Sequence, residues 1–221
     1  MERKLSILYS KLSAIGLLVS SKRIKKEFND IEEVLLDALY EVDNDSRMLS
    51  LIFSWANIHG DYIIADKFFK AHKKRVKRNG ECPWVYALCA YLVHSKNHKF
   101  KNGLIKQKKE IWVGDRVSES SRKLQGTIDY LEALNIIVPK KFLRIRESDC
   151  LSREVLIKQN TQYRYRFIYG VNWRSEIIYA IHRGLDNPNK ISKELGLSYS
   201  NVWSVFNDFK LVERFVIKNK I

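Results

Sequence analysis

The residues best suited to hold a metal ion lie between positions 82 and 98. Cys82, Cys89, His94 and His98 are spaced C-x6-C-x4-H-x3-H. A tetrahedral zinc site needs four donors of this kind, but its paired cysteines are generally about two to four residues apart, so that one turn presents both thiolates. Pro83 and the apolar run after it instead favour a helix in which Cys89 is a small core side chain. We therefore expect no metal site.

Other catalytic arrangements are scarce in the sequence. It contains no Walker loop, dinucleotide-binding glycine fingerprint, nucleophile elbow or HExxH motif. Asp61 with Asp66, and Asp115 with Asp129, are carboxylate pairs of the kind that a metal-dependent nuclease uses, although acids at these spacings are usually surface charges. We expect a non-enzymatic protein that needs no cofactor, and a nuclease is an alternative.

Positive charge is the strongest compositional signal. The 221 residues carry a formal net charge of +15, which favours a polyanionic partner because contacts to phosphates release condensed counterions. Residues 61–114 alone hold 13 lysines and arginines against 4 acids. The alternative for their densest run, KKRVKR at 73–78, is the solvated end of a helix, where cations offset the helix dipole. If the run binds phosphates instead, the predicted contacts are Lys73, Lys74, Arg75, Lys77 and Arg78.

Two short helices and a longer third helix are predicted near the end of the chain, within residues 174–217. The first ends near Gly184, the second covers about residues 189–195, and the third is capped by Ser198. The apolar side of the third helix consists of Val202, Phe206 and Phe209. Its other side chains are left facing outward or sideways, and they are Tyr199, Ser200, Asn201, Trp203, Ser204 and Asn207.

This order of helix, tight turn at Gly196 and longer helix resembles the winged helix-turn-helix regulators. The resemblance implies that the helix over residues 199–209 enters the major groove of DNA, where asparagine can bond adenine and serine can reach bases or phosphates. An apolar strand is predicted after this helix from Leu211, Val212, Phe215 and Ile217. The candidate DNA-binding residues of this unit are Lys190, Lys193, Ser198, Tyr199, Ser200, Asn201, Ser204, Asn207 and Lys210.

The same helix also suits a protein partner. Trp203 and Tyr199 are of the types that anchor protein interfaces, and the outward face lacks arginine, the commonest reader of guanine. Tri-helical units of this kind also serve purely as protein-binding modules. An adaptor or antitoxin-like protein, or a replication-initiation type of DNA-binding protein, therefore stays open beside a transcriptional regulator.

A second winged-helix-like unit is predicted at about residues 100–146. Residues 110–117 indicate a short strand, residues 136–138 indicate another, and Leu124, Ile128 and Leu131 repeat the spacing of the apolar residues in the last helix. The candidate DNA-binding residues of this unit are Ser120, Ser121, Arg122, Lys123 and Gln125.

Alternating side chains predict a basic β-hairpin at residues 143–169. Residues 143–146 alternate between apolar and basic types, and residues 163–167 alternate between aromatic and basic types. An alternative is that residues 165–173 lead helically into the final unit.

The predicted fold class is mainly α with small β-hairpins. We expect a helical domain at 1–95, a winged-helix-like unit with a β-hairpin at 96–170, and a C-terminal winged helix-turn-helix at 171–221. Five apolar-periodic segments fill the first domain, and its leucine-rich helices suggest a homodimer.

The composition also indicates where the protein is located and what it binds. The longest uncharged runs are shorter than the roughly 20 apolar residues that a membrane span needs. Three cysteines, an odd number, and no recognisable secretory leader lead us to expect reduced thiols in the cytoplasm. The function that we expect is transcription regulation by binding double-stranded DNA.

Overall fold

The structure is a computed structural model that describes residues 2–19, 29–42, 45–112 and 124–218. These residues are mainly α-helical, as the sequence predicts. The chain divides into two compact units, Met1–Gln159 and Asn160–Ile221, whereas the sequence suggested boundaries after residues 95 and 170. Among the helices in the described ranges, none combines the length and apolar character that a membrane crossing requires.

Five helices of 10 to 15 residues form the framework of the first unit, and they confirm the five predicted from apolar periodicity. The Asp30 and Asp45 carboxylates cap the second and third helices by accepting backbone N–H groups. Pro83 begins the fifth, at a position where its missing N–H has no helical partner. The helices are α1 (Glu2–Ala14), α2 (Ile31–Tyr40), α3 (Ser46–His59), α4 (Ala65–Asn79) and α5 (Pro83–His94).

Large aromatic side chains fill the core of the first unit. Phe53, Trp55, Phe68 and Phe100 are fully buried, and the Trp55 Nε1–H donates to the Ile15 carbonyl oxygen at 2.6 Å. Burial of apolar surface contributes about 25 cal/mol per Å², so these rings dominate the packing energy of the unit.

The leucine-rich side of α1 packs into this core. Leu8, Leu12 and Ile15 have exposed fractions of 6%, 0% and 0%. These side chains suggested a dimer contact in the sequence, but they are occupied within the chain.

Glu32 joins α2 to the beginning of α4. Its buried carboxylate accepts the Ile64 backbone N–H at 2.9 Å and lies 3.3 Å from the Lys67 ammonium group. Lys67 also pairs with Asp30. A carboxylate shielded from water needs such partners, and these partners fix the first turn of α4 against α2.

An extended part of the chain runs along α3 and is held by serine hydroxyls. The Ser50 hydroxyl bonds to the Phe142 carbonyl oxygen at 3.2 Å and accepts the Arg144 backbone N–H at 3.1 Å. The Ser54 hydroxyl accepts the Arg146 backbone N–H at 2.9 Å. These bonds take the place of a sheet partner, because buried backbone groups must be hydrogen-bonded.

His59, at the end of α3, holds the same part of the chain further along. Its Nε2–H donates to the Leu151 carbonyl oxygen at 3.0 Å, and its ring packs against Trp55 with the ring centroids 5.2 Å apart. Burial lowers the pKa of His59 to about 4, although the bond to Leu151 opposes this shift. The imidazole is therefore neutral at pH 7.

The β structure of the described residues is one parallel pair of strands and two isolated antiparallel bridges, Leu17 with Cys150 and Thr127 with Pro139. β1 (Ile111–Trp112) pairs with β2 (Ile136–Ile137). A short helix, α6 (Asp129–Glu132), precedes β2. The strands predicted at 110–117 and 136–138 are confirmed in their described parts.

The continuous helix predicted to carry Leu124, Ile128 and Leu131 is wrong. The chain leaves helical geometry at Gly126, whose φ is +68°, and α6 begins only three residues later. Leu124 is 84% exposed whereas Leu131 is fully buried, so the two do not share a packed face. Glycine accepts this left-handed conformation because it has no Cβ, and the equal sequence spacing did not reveal it.

The remaining helices show that the predicted β-hairpin at 143–169 is wrong. Asn160 caps the second of these helices by accepting the Tyr163 N–H at 2.9 Å. The alternation of aromatic and basic residues over five positions is also compatible with a helix. In the observed helix, residues 162 and 163 are buried, and so is residue 166, about one turn later. The helices are α7 (Arg153–Gln159), α8 (Thr161–Tyr169), α9 (Trp173–His182), α10 (Pro188–Leu195) and α11 (Tyr199–Lys218).

The apolar strand predicted from residues 211–217 is also wrong. α11 continues without interruption to Lys218. Its sequence has no glycine or proline that would end a helix after Phe209, and residues 211, 212 and 215 follow helical spacing as well as they follow that of a strand.

A buried ion pair joins α8 to α9. Arg166 Nε and Nη2 donate to Glu176 Oε1 at 2.9 and 2.7 Å, and the Gln162 amide donates to Glu176 Oε2 at 2.9 Å. All three side chains are almost completely buried. A pair in this setting holds two helices in one orientation, while its loss leaves a buried charge.

We expect Arg166→Met to destabilise the second unit by about 3–5 kcal/mol, because Glu176 then stays buried and charged without the guanidinium that pairs with it. The double variant Arg166→Met/Glu176→Gln should recover most of the loss, since the glutamine oxygen still accepts from Gln162 and no charge is buried. Hydrogen exchange of peptides from residues 160–195 in the full chain measures both effects. Equal loss in the single and double variants would contradict this account of the pair.

We expect His59 to make the first unit less stable as the pH falls. The unfolded chain takes up a proton near pH 6.5, whereas the folded chain keeps His59 neutral until about pH 4. The free energy of unfolding should therefore drop by about 2 kcal/mol between pH 7.5 and pH 5 through this group alone. Urea unfolding of the wild type and of His59→Gln, which retains a donor and does not titrate, isolates this contribution; parallel pH profiles would refute it.

Candidate nucleic-acid interface

Helices α10 and α11 meet at a turn whose geometry is fixed by hydrogen bonds. Gly196 lies in the left-handed region, with φ 62° and ψ 41°, and its N–H bonds to the Ser192 carbonyl oxygen. The Leu197 N–H reaches the same oxygen at 3.0 Å, and the Ser192 hydroxyl donates to the Leu197 carbonyl oxygen at 2.7 Å. A turn of this length with glycine in this conformation is typical of helix-turn-helix units.

One cluster of apolar side chains sets which face of α11 points inward. Ile191 of α10 and Val202 of α11 are completely buried and pack with Ile177, Ala180 and Ile181 of α9. The partly buried residues around this cluster include Val205, Phe206 and Phe209. The inward face predicted from the sequence is therefore confirmed, with Val202 at its centre.

The opposite face of α11 is open to solvent and chemically mixed. Tyr199, Trp203 and Leu211 have exposed fractions of 48%, 51% and 54%. The polar candidates Ser198, Ser200, Asn201 and Ser204 are exposed as well, and Asn207 is half-buried. This face offers hydroxyl and amide groups able to bond base edges or phosphates, with two aromatic rings among them.

The lysines near this face differ in exposure and in the side chains that lie close to them. Lys193 is exposed. Lys190 lies 3.7 Å from an Asp186 carboxylate oxygen, and the Lys210 ammonium group lies 5.9 Å from the centre of the Phe206 ring. The described part of this unit therefore carries little cationic charge next to its exposed helix face.

The cations of α4 form a denser surface, which we call the α4 basic face: Lys73, Lys74, Lys77 and Arg78. All four are exposed, and none pairs with a carboxylate among the described residues. They recur every three to four positions along the last two turns of α4, so they project from one side of the helix.

Arg75 lies in the same run but faces α2 instead. Its guanidinium pairs with Asp37 at 2.7 Å and with the Glu33 carboxylate, and it donates to the Glu33 carbonyl oxygen at 3.2 Å. Burial alone would lower the pKa of Arg75, but Asp37 and Glu33 outweigh burial and raise it. Arg75 braces the fold, and phosphate binding by this residue would require both ion pairs to break.

Of the DNA-binding residues predicted between positions 120 and 125, the structure describes Gln125. Ser120, Ser121, Arg122 and Lys123 lie outside the described residues. Gln125 lies in a groove beside α3.

Four basic residues of this groove are not among the DNA-binding residues predicted from the sequence: Arg47, Lys141, Arg144 and Arg146. The alternation of apolar and basic residues at 143–146 indicates an extended segment with basic side chains on one side, but it predicts a hairpin equally well. The serines of α3 that position this segment are more than 90 residues away in the sequence.

The cysteines and histidines considered for zinc are held separately. Cys82 bonds to the Leu39 carbonyl oxygen, and the His94 ring stacks on Tyr130 with the ring centroids 4.4 Å apart. Burial raises the pKa of Cys89 to about 12. In the part of the chain that the structure describes, no three cysteine, histidine or acidic side chains converge as metal ligands.

Comparison with known proteins gives no further guide to the interface. No protein-family model, curated protein or solved structure matches this chain.

Proposed function

We propose that this chain is a non-enzymatic DNA-binding protein that regulates transcription, with α11 inserted into the major groove of double-stranded DNA. The observation that carries the proposal is the fixed α10–α11 turn together with the exposed polar face of α11. A rigid turn matters because readout of base edges depends on how the second helix is oriented.

The charge distribution supports a nucleic acid as the partner. The net charge of +15 favours a polyanion, and the α4 basic face supplies cations that have no described carboxylate partner. In this proposal the α4 basic face holds phosphates, while α11 reads bases. A homodimer remains part of the proposal because helix-turn-helix proteins commonly bind two half-sites, although the leucines of α1 do not form its contact.

We expect selection from a random duplex pool to yield a sequence bound with a dissociation constant below about 1 μM at low salt. Ser204→Glu should weaken this complex at least about tenfold, because it places a carboxylate on the exposed face of α11. Gln159→Glu is the matched control, since it makes the same charge change at an exposed helical position outside that face. Fluorescence polarisation measures both, and failure to bind any duplex would refute the proposal.

A separate prediction concerns the α4 basic face. Lys73→Gln/Lys77→Gln should reduce the slope of log affinity against log salt by about 2 and leave the sequence preference unchanged. Lys108→Gln/Lys109→Gln removes the same charge from two other exposed lysines and serves as the control. If both pairs change the slope equally, the effect is that of net charge and not of this face.

A protein-binding adaptor, of the antitoxin-like kind, is the second candidate. It is favoured by the three large apolar side chains exposed on one helix: Tyr199, Trp203 and Leu211. Trp203→Ala distinguishes the two functions in the same titration, because an adaptor would keep any affinity for DNA after this change. A DNA reader should lose affinity when a ring is removed from the recognition face.

A further inference from the structure

A groove lies in the first unit between α3 and the extended segment at residues 142–146 that runs along it. We call it the α3 groove; its volume is about 620 Å³, which is within the range of small-ligand sites. Its lining combines two kinds of surface. The cationic and polar side comprises Arg47, Lys141, Arg144, Arg146 and Gln125, with Asp149 as its one described acid, and the apolar side comprises Leu18, Val19, Leu51 and Phe142.

The backbone that carries two of these arginines is fixed. Arg144 and Arg146 donate their backbone N–H groups to Ser50 and Ser54, and they are two residues apart in an extended segment. Side chains two residues apart in extended backbone point to the same side, so both line the groove together. A ligand therefore meets a site whose main chain needs no rearrangement.

The cations of the α3 groove have no acidic partner within the described ranges of the chain. Arg47, Lys141, Arg144 and Arg146 have no ion pair with an acidic side chain among the described residues. Elsewhere in the chain arginines do find carboxylates, as Arg166 does with Glu176. Four cations beside one another repel, and an anion in the groove relieves this repulsion.

Gln125 adds a requirement that an ionised phosphate oxygen, which only accepts hydrogen bonds, does not meet. Its Oε1 is a buried acceptor with no hydrogen-bond donor in the described part of the chain. A buried acceptor of this kind costs free energy until a donor reaches it. The apolar side of the groove, which includes the Phe142 ring, also needs a ligand with apolar surface.

We propose that the α3 groove binds a nucleoside phosphate, either free or as a unit of a single-stranded nucleic acid. The phosphate contacts the arginines, the base or sugar packs on the apolar side, and a rotation of the Gln125 side chain lets an N–H or O–H of the ligand donate to its Oε1. This site lies in the first unit and is independent of duplex binding by α11, so either proposal can fail alone.

Calorimetric titration of the full chain with ATP, AMP and pyrophosphate, and polarisation of a labelled oligothymidylate, test the site and distinguish free ligand from strand. We expect Arg144→Gln/Arg146→Gln to weaken binding at least about tenfold, since it removes two charged donors to the phosphate. This variant keeps the backbone N–H groups that Ser50 and Ser54 hold. Lys108→Gln/Lys109→Gln is the control of equal charge, and Arg47→Gln is a second variant outside the extended segment.

Gln125→Leu tests the nucleoside part of the proposal. It should weaken nucleotide binding and leave pyrophosphate binding unchanged. The proposal is overturned if no probe binds at millimolar concentration, or if the control pair weakens binding as much as the arginine pair. Pyrophosphate binding as tight as that of nucleotides, with no effect of Gln125→Leu, would refute a nucleoside ligand. Loss of duplex affinity alone in the arginine variant would assign the groove to duplex contacts and refute the site.

Discussion

Repulsion among cations is the constraint on which the rest of this structure depends. The chain has 40 lysines and arginines but only 25 acids, so many cations have no acidic partner. The buried acids are used where helices must be joined. Glu32 holds the start of α4, and Glu176 holds α8 against α9. Arg75 takes two further carboxylates from α2. Among the described cations without an acidic partner, four lie together on the α4 basic face and four line the α3 groove.

Both of these cationic surfaces are built on anchored backbone. The end of α4 is held against α2 by Arg75 with Glu33 and Asp37, and the segment with Arg144 and Arg146 is fixed by Ser50 and Ser54. Like charges on a rigid backbone can lower their repulsion only as far as their side chains can move apart. An anion that binds there gains both from the attraction and from a site that is already arranged, which is why such surfaces are good candidates for phosphate ligands.

Local patterns in the sequence predicted the helices well and the contacts between distant segments poorly. The five N-terminal helices, the Gly196 turn and the inward position of Val202 all follow from periodicity and capping, which act within one or two turns. The alternation at residues 163–167 is too short to distinguish the period of a strand from that of a helix. The helix is favoured by the contact of Arg166 with Glu176 on another helix, which the local pattern does not contain. The α3 groove could not be predicted, because it depends on hydrogen bonds between residues more than 90 positions apart.

The distribution of charge also bears on how a DNA complex of this chain would divide its work. The exposed face of α11 is rich in hydroxyl, amide and aromatic groups, but Lys193 is the nearby lysine for which no carboxylate partner is described. Such a face discriminates between bases and contributes little to the sequence-independent attraction, which depends on the number of phosphates neutralised. That attraction must then come mainly from the first unit, where the α4 basic face lies. Sequence preference and salt dependence would therefore be carried by different units, and each could change without the other.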